Sequence, residues 1–242
     1  MPFTFSHPAI VLPFLRMRSA AISMSALVVG SMIPDFQYFI SMKLNGRFSH
    51  TFTGIFVFDL PFALLIWFLF HAVVRKPLIE NLPLGISKRL QSLSAFDFRH
   101  YLKHHPAGLI VCILAGTASH ILWDGLTHHD GVFVPFAPVL DSVVHIHGLP
   151  ELPLFRYLQH ISTVVGALLI VYVFFRMPVQ ETRTKPKFSF WLMLFAFAIP
   201  AFFIRAYFGI EYYGDLAVVI ISALLVGLLA ACTIEQIRSN RT

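Results

Sequence analysis

Five stretches of about twenty mostly apolar residues, near 55–75, 107–126, 157–176, 190–208 and 216–235, decide what this chain can become. A helix rises about 1.5 Å per residue, so each is long enough to cross the roughly 30 Å hydrocarbon layer of a bilayer, and each is far too long for a core strand. With 57% hydrophobic and 12% charged residues over 242 positions, the chain also lies outside the usage of soluble domains. The reading is an all-α integral membrane protein whose first partner is the lipid bilayer. It is a bundle of five to six transmembrane helices in a single polytopic domain, residues 1–242. No internal repeat or low-complexity segment argues for a second domain.

Basic residues orient the spans. The loop from Arg75 to His105 holds Arg75, Lys76, Lys88, Arg89, Arg99 and Lys103, and the segment before the fourth span holds Arg176, Arg183, Lys185 and Lys187. The positive-inside rule makes both cytoplasmic. The loops 127–156 and 209–215 carry Asp130, Asp141, Glu151, Glu211 and Asp215, and they face outward, which leaves the C-terminus inside. The net charge of +6 is thereby accounted for, and with no nucleic-acid motif in the chain no nucleic-acid partner is expected. An impermeant thiol reagent should label Asp130→Cys in intact cells and leave Lys185→Cys unmodified; the reverse pattern inverts the topology. Cys112 and Cys232 fall inside apolar segments and read as small core residues, with neither disulfide nor metal. The opening MPFTFSHPAIVL has no charged n-region and no cleavage site, so it reads as retained rather than as a signal peptide.

Residues 1–42 admit two arrangements. HPAIVLPFLR and SAAISMSALVVGSMI are each too short to span comfortably, and Arg16 and Arg18 separate them. Either the second continues through Pro34 as a sixth span, or the two form a short helical hairpin whose ends, His7 and Asp35, lie together. The ligand argument that follows favours the hairpin.

His120 and Asp124 are four apart in a helical segment, so they sit one turn apart on one face. Ionisable residues inside a membrane are costly unless paired or functional. A hydrogen-bonded pair that tightens the bundle is one reading; a ligand pair is the other. Asp35 in SMIPDFQYF and His50 in RFSHTFTG bracket the start of the first long span, and His7 joins them if the hairpin forms. Imidazole nitrogen with carboxylate oxygen and no thiolate is the ligand mixture of catalytic zinc and related hydrolytic ions. The expected cofactor is a divalent metal, zinc first, which polarises a phosphoryl or acyl oxygen and activates water. The outward loop adds His128, His129, Asp130, Asp141, His145, His147 and Glu151. His147 and Glu151 keep a four-residue spacing, although Gly148 and Pro150 interrupt a regular helix. Asp141 or His129 is the candidate general base. His71, His100, His104 and His105 lie among lysines and arginines and read as interfacial. Asp59, Arg205 and Glu211, near the outer ends of spans, read as a structural ion pair ahead of substrate contacts, and Trp67, Trp123 and Trp191 as interface anchors or core.

The segments MPFTFSHPAIVLP, ALVVGSMIPDFQYF, SHTFTG and ASHILWDGLTH together resemble a bacterial integral-membrane family known as a domain of unknown function, over most of the chain. That family is similar in turn to membrane-bound metal-dependent hydrolases, whose early His, Pro-Asp, Ser-His and His-x-x-x-Asp match here at His7, Pro34-Asp35, Ser49-His50 and His120 with Asp124. More remotely, the order of ligands resembles that of the zinc-dependent phospholipase C group. This resemblance implies that Asp35, His50, His120 and Asp124 hold the first metals with His7 near them, and that His128 or His129, His147 and Glu151 supply the remaining site. The interrupted last motif points to one or two ions rather than three. The implied protein is a metal-dependent hydrolase at the outer face of a bacterial inner membrane, acting on a lipid or lipid-linked phosphoester. Its rivals are a transport or binding protein that holds an ion or substrate without chemistry, and a structural protein whose polar cluster satisfies itself. Transporters place such groups near the midplane, often in paired repeats; here they gather at helix ends. The oligomeric state is not legible.

Overall fold

The computed structural model describes residues 3–16, 19–44, 46–148, 150–182 and 185–239; of the residues named above, Arg18 and Arg183 lie outside these. The chain forms a 3-10 strap Thr4–Arg16, then α1 Met24–Met32, α2 Phe36–Ser41, α3 Phe52–Asn81, α4 Leu84–Leu90, α5 Phe98–His104, α6 Pro106–Thr127, α7 Leu154–Arg176, α8 Phe188–Tyr207 and α9 Tyr213–Ser239. Helices α3, α6, α7, α8 and α9 are long and apolar enough to cross a membrane, and they match the five expected spans to within a few residues. The strap and α1 form the short N-terminal hairpin in place of a sixth span. At nine residues α1 covers only about 14 Å, half a bilayer.

Two compact units make up the chain. The first comprises residues 1–34, 48–64 and 101–175. Its centre is the crossing of α1 and α6, where Gly30 and Gly116 bring backbone against backbone: a Cβ on Gly116 would lie 2.4 Å from the Leu27 carbonyl oxygen, and one on Gly30 would lie 2.2 Å from that of Ile113. In a membrane, helix association depends on such close van der Waals approach, which small residues permit. Ala26, Leu27, Leu109 and Ile113 fill the seam on either side. Ser23 caps α1, its side chain accepting from the Ala26 amide.

The strap is an unusually long 3-10 run. Pro8 and Pro13 cannot donate the hydrogen bonds an α-helix there would need, and α7 holds the strap from outside. The Phe3 amide donates to Thr163 Oγ1 at 3.1 Å, and Ser6 Oγ donates to the Thr163 carbonyl at 3.0 Å. Gly166 makes this possible, because a Cβ there would stand 2.8 Å from the Ser6 carbonyl oxygen.

The second unit comprises residues 35–47, 65–100 and 176–242. Its core is Phe190, Leu194, Ala198, Ala231 and Cys232, where α8 and α9 close at Gly227. Arg205 donates to the carbonyls of Met42 and Gly209. Trp67 is core, at 1% exposure. His71 is buried rather than interfacial: the rings of Trp67, Phe70, Phe96 and Phe98 surround it. Cys112 and Cys232 are free and buried, one in each unit. Helix α3 contains two π turns, Ile55–Asp59 and Phe70–Val74, each followed within three residues by a proline, Pro61 or Pro77. The wider turn accommodates the ring that an α-helical repeat would push into a preceding carbonyl.

Candidate metal centre

Three segments of the first unit, and Asp35 directly after residue 34, bring side chains to the C-terminal end of α6. On α6 itself Gly116, His120 and Asp124 succeed one another at four-residue steps and form one stripe. His120 is fully buried and Asp124 is 7% exposed. The strap, pinned to α7, presents His7, whose ring stacks on His120 with centroids 3.8 Å apart. His50 arrives on a tight turn ahead of α3. Thr51 Oγ1 accepts from the Gly54 amide and donates to the Phe48 carbonyl, and Gly54 is required because a Cβ would lie 1.9 Å from that carbonyl oxygen. Ser49, fully buried, hydrogen bonds His50 Nδ1 at 3.1 Å. Asp35 closes the 3-10 turn Ile33–Asp35 that continues α1 along the chain. One ligand atom from each of Asp35, His50, His120 and Asp124 lies within 4.8 Å of the others, so these four could hold a metal ion.

The Asp124 carboxylate is the hub. Its Oδ2 lies 3.3 Å from His120 Nε2 and 3.5 Å from His50 Nε2. Its Oδ1 lies 3.5 Å from His7 Nε2 and 3.7 Å from His128 Nδ1, and is buried without a hydrogen bond. Charge-assisted N–H···O bonds run nearer 2.8 Å. Two ligand atoms each about 2.1 Å from one tetrahedral ion stand about 3.4 Å apart, which is the spacing seen around Oδ2.

Tautomers point the same way. His120 Nδ1 lies 2.8 Å from the Ser31 carbonyl oxygen, which only accepts, so the proton sits on Nδ1. The Nε2 lone pair then faces a carboxylate oxygen, which needs a cation or a second proton between them. Protonating His7, His50 and His120 would place three positive charges against the two carboxylates Asp35 and Asp124 in a buried space. One divalent ion with neutral imidazoles and two carboxylates leaves no net charge. The carbonyl-held imidazole is also the usual outer support of a metal-binding histidine.

His128 follows α6 directly. Its Nδ1 donates to the Asp124 carbonyl at 3.1 Å, and its Nε2 is buried without a hydrogen-bond partner. Burial pushes this imidazole below its ordinary pKa against the opposing pull of Asp124, so the lone pair is present at neutral pH. His50 and His128 keep about a quarter of their side chains exposed, 23% each, which leaves the centre a way in.

His147 and Glu151 do not join this group. A two-residue ladder, β1 Val143–Val144 against β2 Leu152–Pro153, ties the base of their loop, and both residues are exposed. Glu151 is instead paired with His145 Nδ1 at 3.0 Å. Their four-residue spacing has no helix to give it meaning. His129 and Asp141 pair with each other at 3.3 Å, both largely exposed. Sequence reasoning passed over Ser31, whose contribution is a backbone carbonyl and leaves no side-chain signal. The Gly30–Gly116 crossing that presents it was readable as small residues in apolar helices.

No curated protein and no solved structure matches the chain. A family model described as Domain of unknown function (DUF4184) matches residues 1–234, and the chain belongs to that family.

Proposed function

We propose that the protein is a metal-dependent hydrolase of the membrane, holding zinc or a related divalent ion on Asp35, His50, His120 and Asp124 and acting on a lipid or lipid-linked phosphoester. The observation that carries this is the buried Asp124 carboxylate, ringed by imidazole nitrogens of His7, His50 and His120 at 3.3–3.5 Å, a spacing that suits ligands of one ion. When bound, the ion supplies polarisation of the phosphoryl oxygen and an acidified water. His7 and His128, on the Oδ1 side, are the ligands for a second ion where two are held. His147 and Glu151 have no part in this site. The centre faces the outside of a bacterial inner membrane, with the C-terminus inside.

The chain's own part begins with orientation: the Ser31 carbonyl and the Ser49 hydroxyl fix the rings of His120 and His50. His129, five residues beyond Asp124, is the general base. Asp141 accepts its Nδ1 proton and leaves Nε2 able to take one from water.

The test is hydrolysis of phospholipids by the protein reconstituted in vesicles, with and without chelator, read as release of the phosphorylated headgroup. His129→Ala should lower kcat by about 10²-fold or more while metal content stays unchanged. An unchanged kcat removes His129 from the mechanism. Stoichiometric metal with no turnover across a panel of phospholipids would leave an ion-binding role in place of a hydrolase.

A further inference from the structure

Beside the metal centre, and wholly within the first unit, the strap, α6 and α7 enclose a groove of about 300 Å³. Its walls include Ile10 from the strap, Trp123 and Leu126 from α6, and Ile161, Val165 and Leu169 from α7. These six are between 36% and 56% exposed and lie on the apolar strap and on two helices long and apolar enough to cross a membrane, so in a bilayer the groove would open to hydrocarbon. Three hydroxyls line it, yet each is spent on a backbone carbonyl: Ser6 on Thr163, Thr127 on Trp123 and Ser162 on Gln159. What remains inside is apolar surface, and His7 is the sole ionisable residue of the wall.

We propose that this groove binds one acyl chain of a bilayer lipid and thereby places that lipid's phosphoester at the metal centre. It deepens the hydrolase reading, on which the lipid's role as substrate rests. From Leu158 to Leu169 the α7 wall runs about 16 Å, close to the depth of one leaflet. Over the same length a helix of about 10 Å diameter would occupy roughly 1,300 Å³, several times the volume of the groove. A slender unbranched chain fits and a protein segment does not. Direction agrees as well. Trp123, Leu126 and Thr127 lie at the end of α6 that carries Asp124, and Leu158 lies near the matching start of α7, while Leu169 is deep in the span. A lipid whose tail follows the groove therefore keeps its polar end at His7, whose Nε2 is 3.5 Å from Asp124 Oδ1. The groove discriminates by chain: a single unbranched tail enters it, and the lipid's second chain stays in the bilayer.

The full-length protein would be reconstituted in vesicles of phosphatidylethanolamine and phosphatidylglycerol containing a small fraction of phosphatidylglycerol with a photoreactive diazirine near the end of one acyl chain. After irradiation, adducts on the peptide 158–169 should exceed those on α8 around Phe203 and Ile204, which are equally lipid-facing at 65% exposure, by about tenfold. Ser162→Phe, which fills the groove, should bring α7 labelling down to the α8 level while metal content is unchanged. Leu168→Phe, on the same helix but outside the groove, should leave the labelling intact. Ala9→Phe fills the groove from the strap and serves if Ser162→Phe does not fold. Labelling of α7 no greater than that of α8, or unaffected by either filling substitution, overturns the proposal. The readout needs neither metal nor turnover. A protein that captures the lipid but binds no metal keeps the groove and loses the hydrolase, and the opposite result does the reverse.

Discussion

Asp124→Ala is expected to strip the protein of its metal and leave its helices assembled. Both oxygens of this carboxylate are engaged, Oδ2 toward His50 and His120 and Oδ1 toward His7, so no neighbouring side chain can take its place. Loss of an outer support costs a metal site about 10–100-fold in affinity, and loss of a ligand that also carries half the neutralising charge costs more. In elemental analysis of detergent-purified protein, metal per chain should fall from about one to below about one tenth. The fold should survive, because the α1–α6 seam below the site is built from Ala26, Leu27, Leu109 and Ile113 and the glycine crossing, none of which touches the ion. Helicity by circular dichroism and elution as a single species check that. Asp124→Asn, which keeps the shape and removes the charge, should lose metal as well. Full metal retention by either variant sinks the ligand assignment and returns the cluster to a hydrogen-bonded helix end.

How much of this was legible in the residues follows from the range of the interactions involved. The five spans depend on composition summed along one helix, and the sequence alone located them to within a few residues; α3 outran its apolar stretch because Arg75–Asn81 continue the helix beyond it. The hairpin was legible only as one of two alternatives, since nothing local to Thr4–Arg16 says that Thr163 and Gly166 will hold it. His120 and Asp124 were readable as a pair because a helix makes four-residue spacing meaningful. The same spacing at His147 and Glu151 carries no such meaning, because both lie in a loop between the paired strands Val143–Val144 and Leu152–Pro153 rather than on a helix. The groove was invisible at the sequence level: its walls come from three elements, the strap standing more than a hundred residues before the other two, and its shape rests on a glycine and a serine with no unusual neighbours.

The glycine crossing carries the last expectation, because it couples helix packing to the ligands. Gly116 lies one turn below His120 and two below Asp124 on the same stripe of α6. A Cβ there would meet Leu27 O at 2.4 Å and Ser31 N at 2.7 Å, both backbone atoms that no rotamer change can move. Restoring ordinary contact requires α1 to retreat by about 1 Å, from 2.4 Å to at least 3.4 Å. That retreat lengthens the 2.8 Å bond from His120 Nδ1 to the Ser31 carbonyl past hydrogen-bonding range and carries the Asp35 turn with it, since Asp35 lies three residues beyond the end of α1. Gly116→Ala should therefore destabilise the protein by about 1–3 kcal/mol, as overpacking does. It should also weaken metal binding by about 10–100-fold, as loss of an outer support does, although no ligand is altered. The first is read as a lowered thermal midpoint in chelator and the second by competition against a fluorescent chelator. Gly85→Ala, whose Cβ would meet nothing within 4 Å, is the control expected to change neither. A destabilised Gly116→Ala protein with undiminished metal affinity would mean that the Ser31 carbonyl does not hold His120 in its binding orientation, and that the ligands are set by α6 and the His50 turn alone.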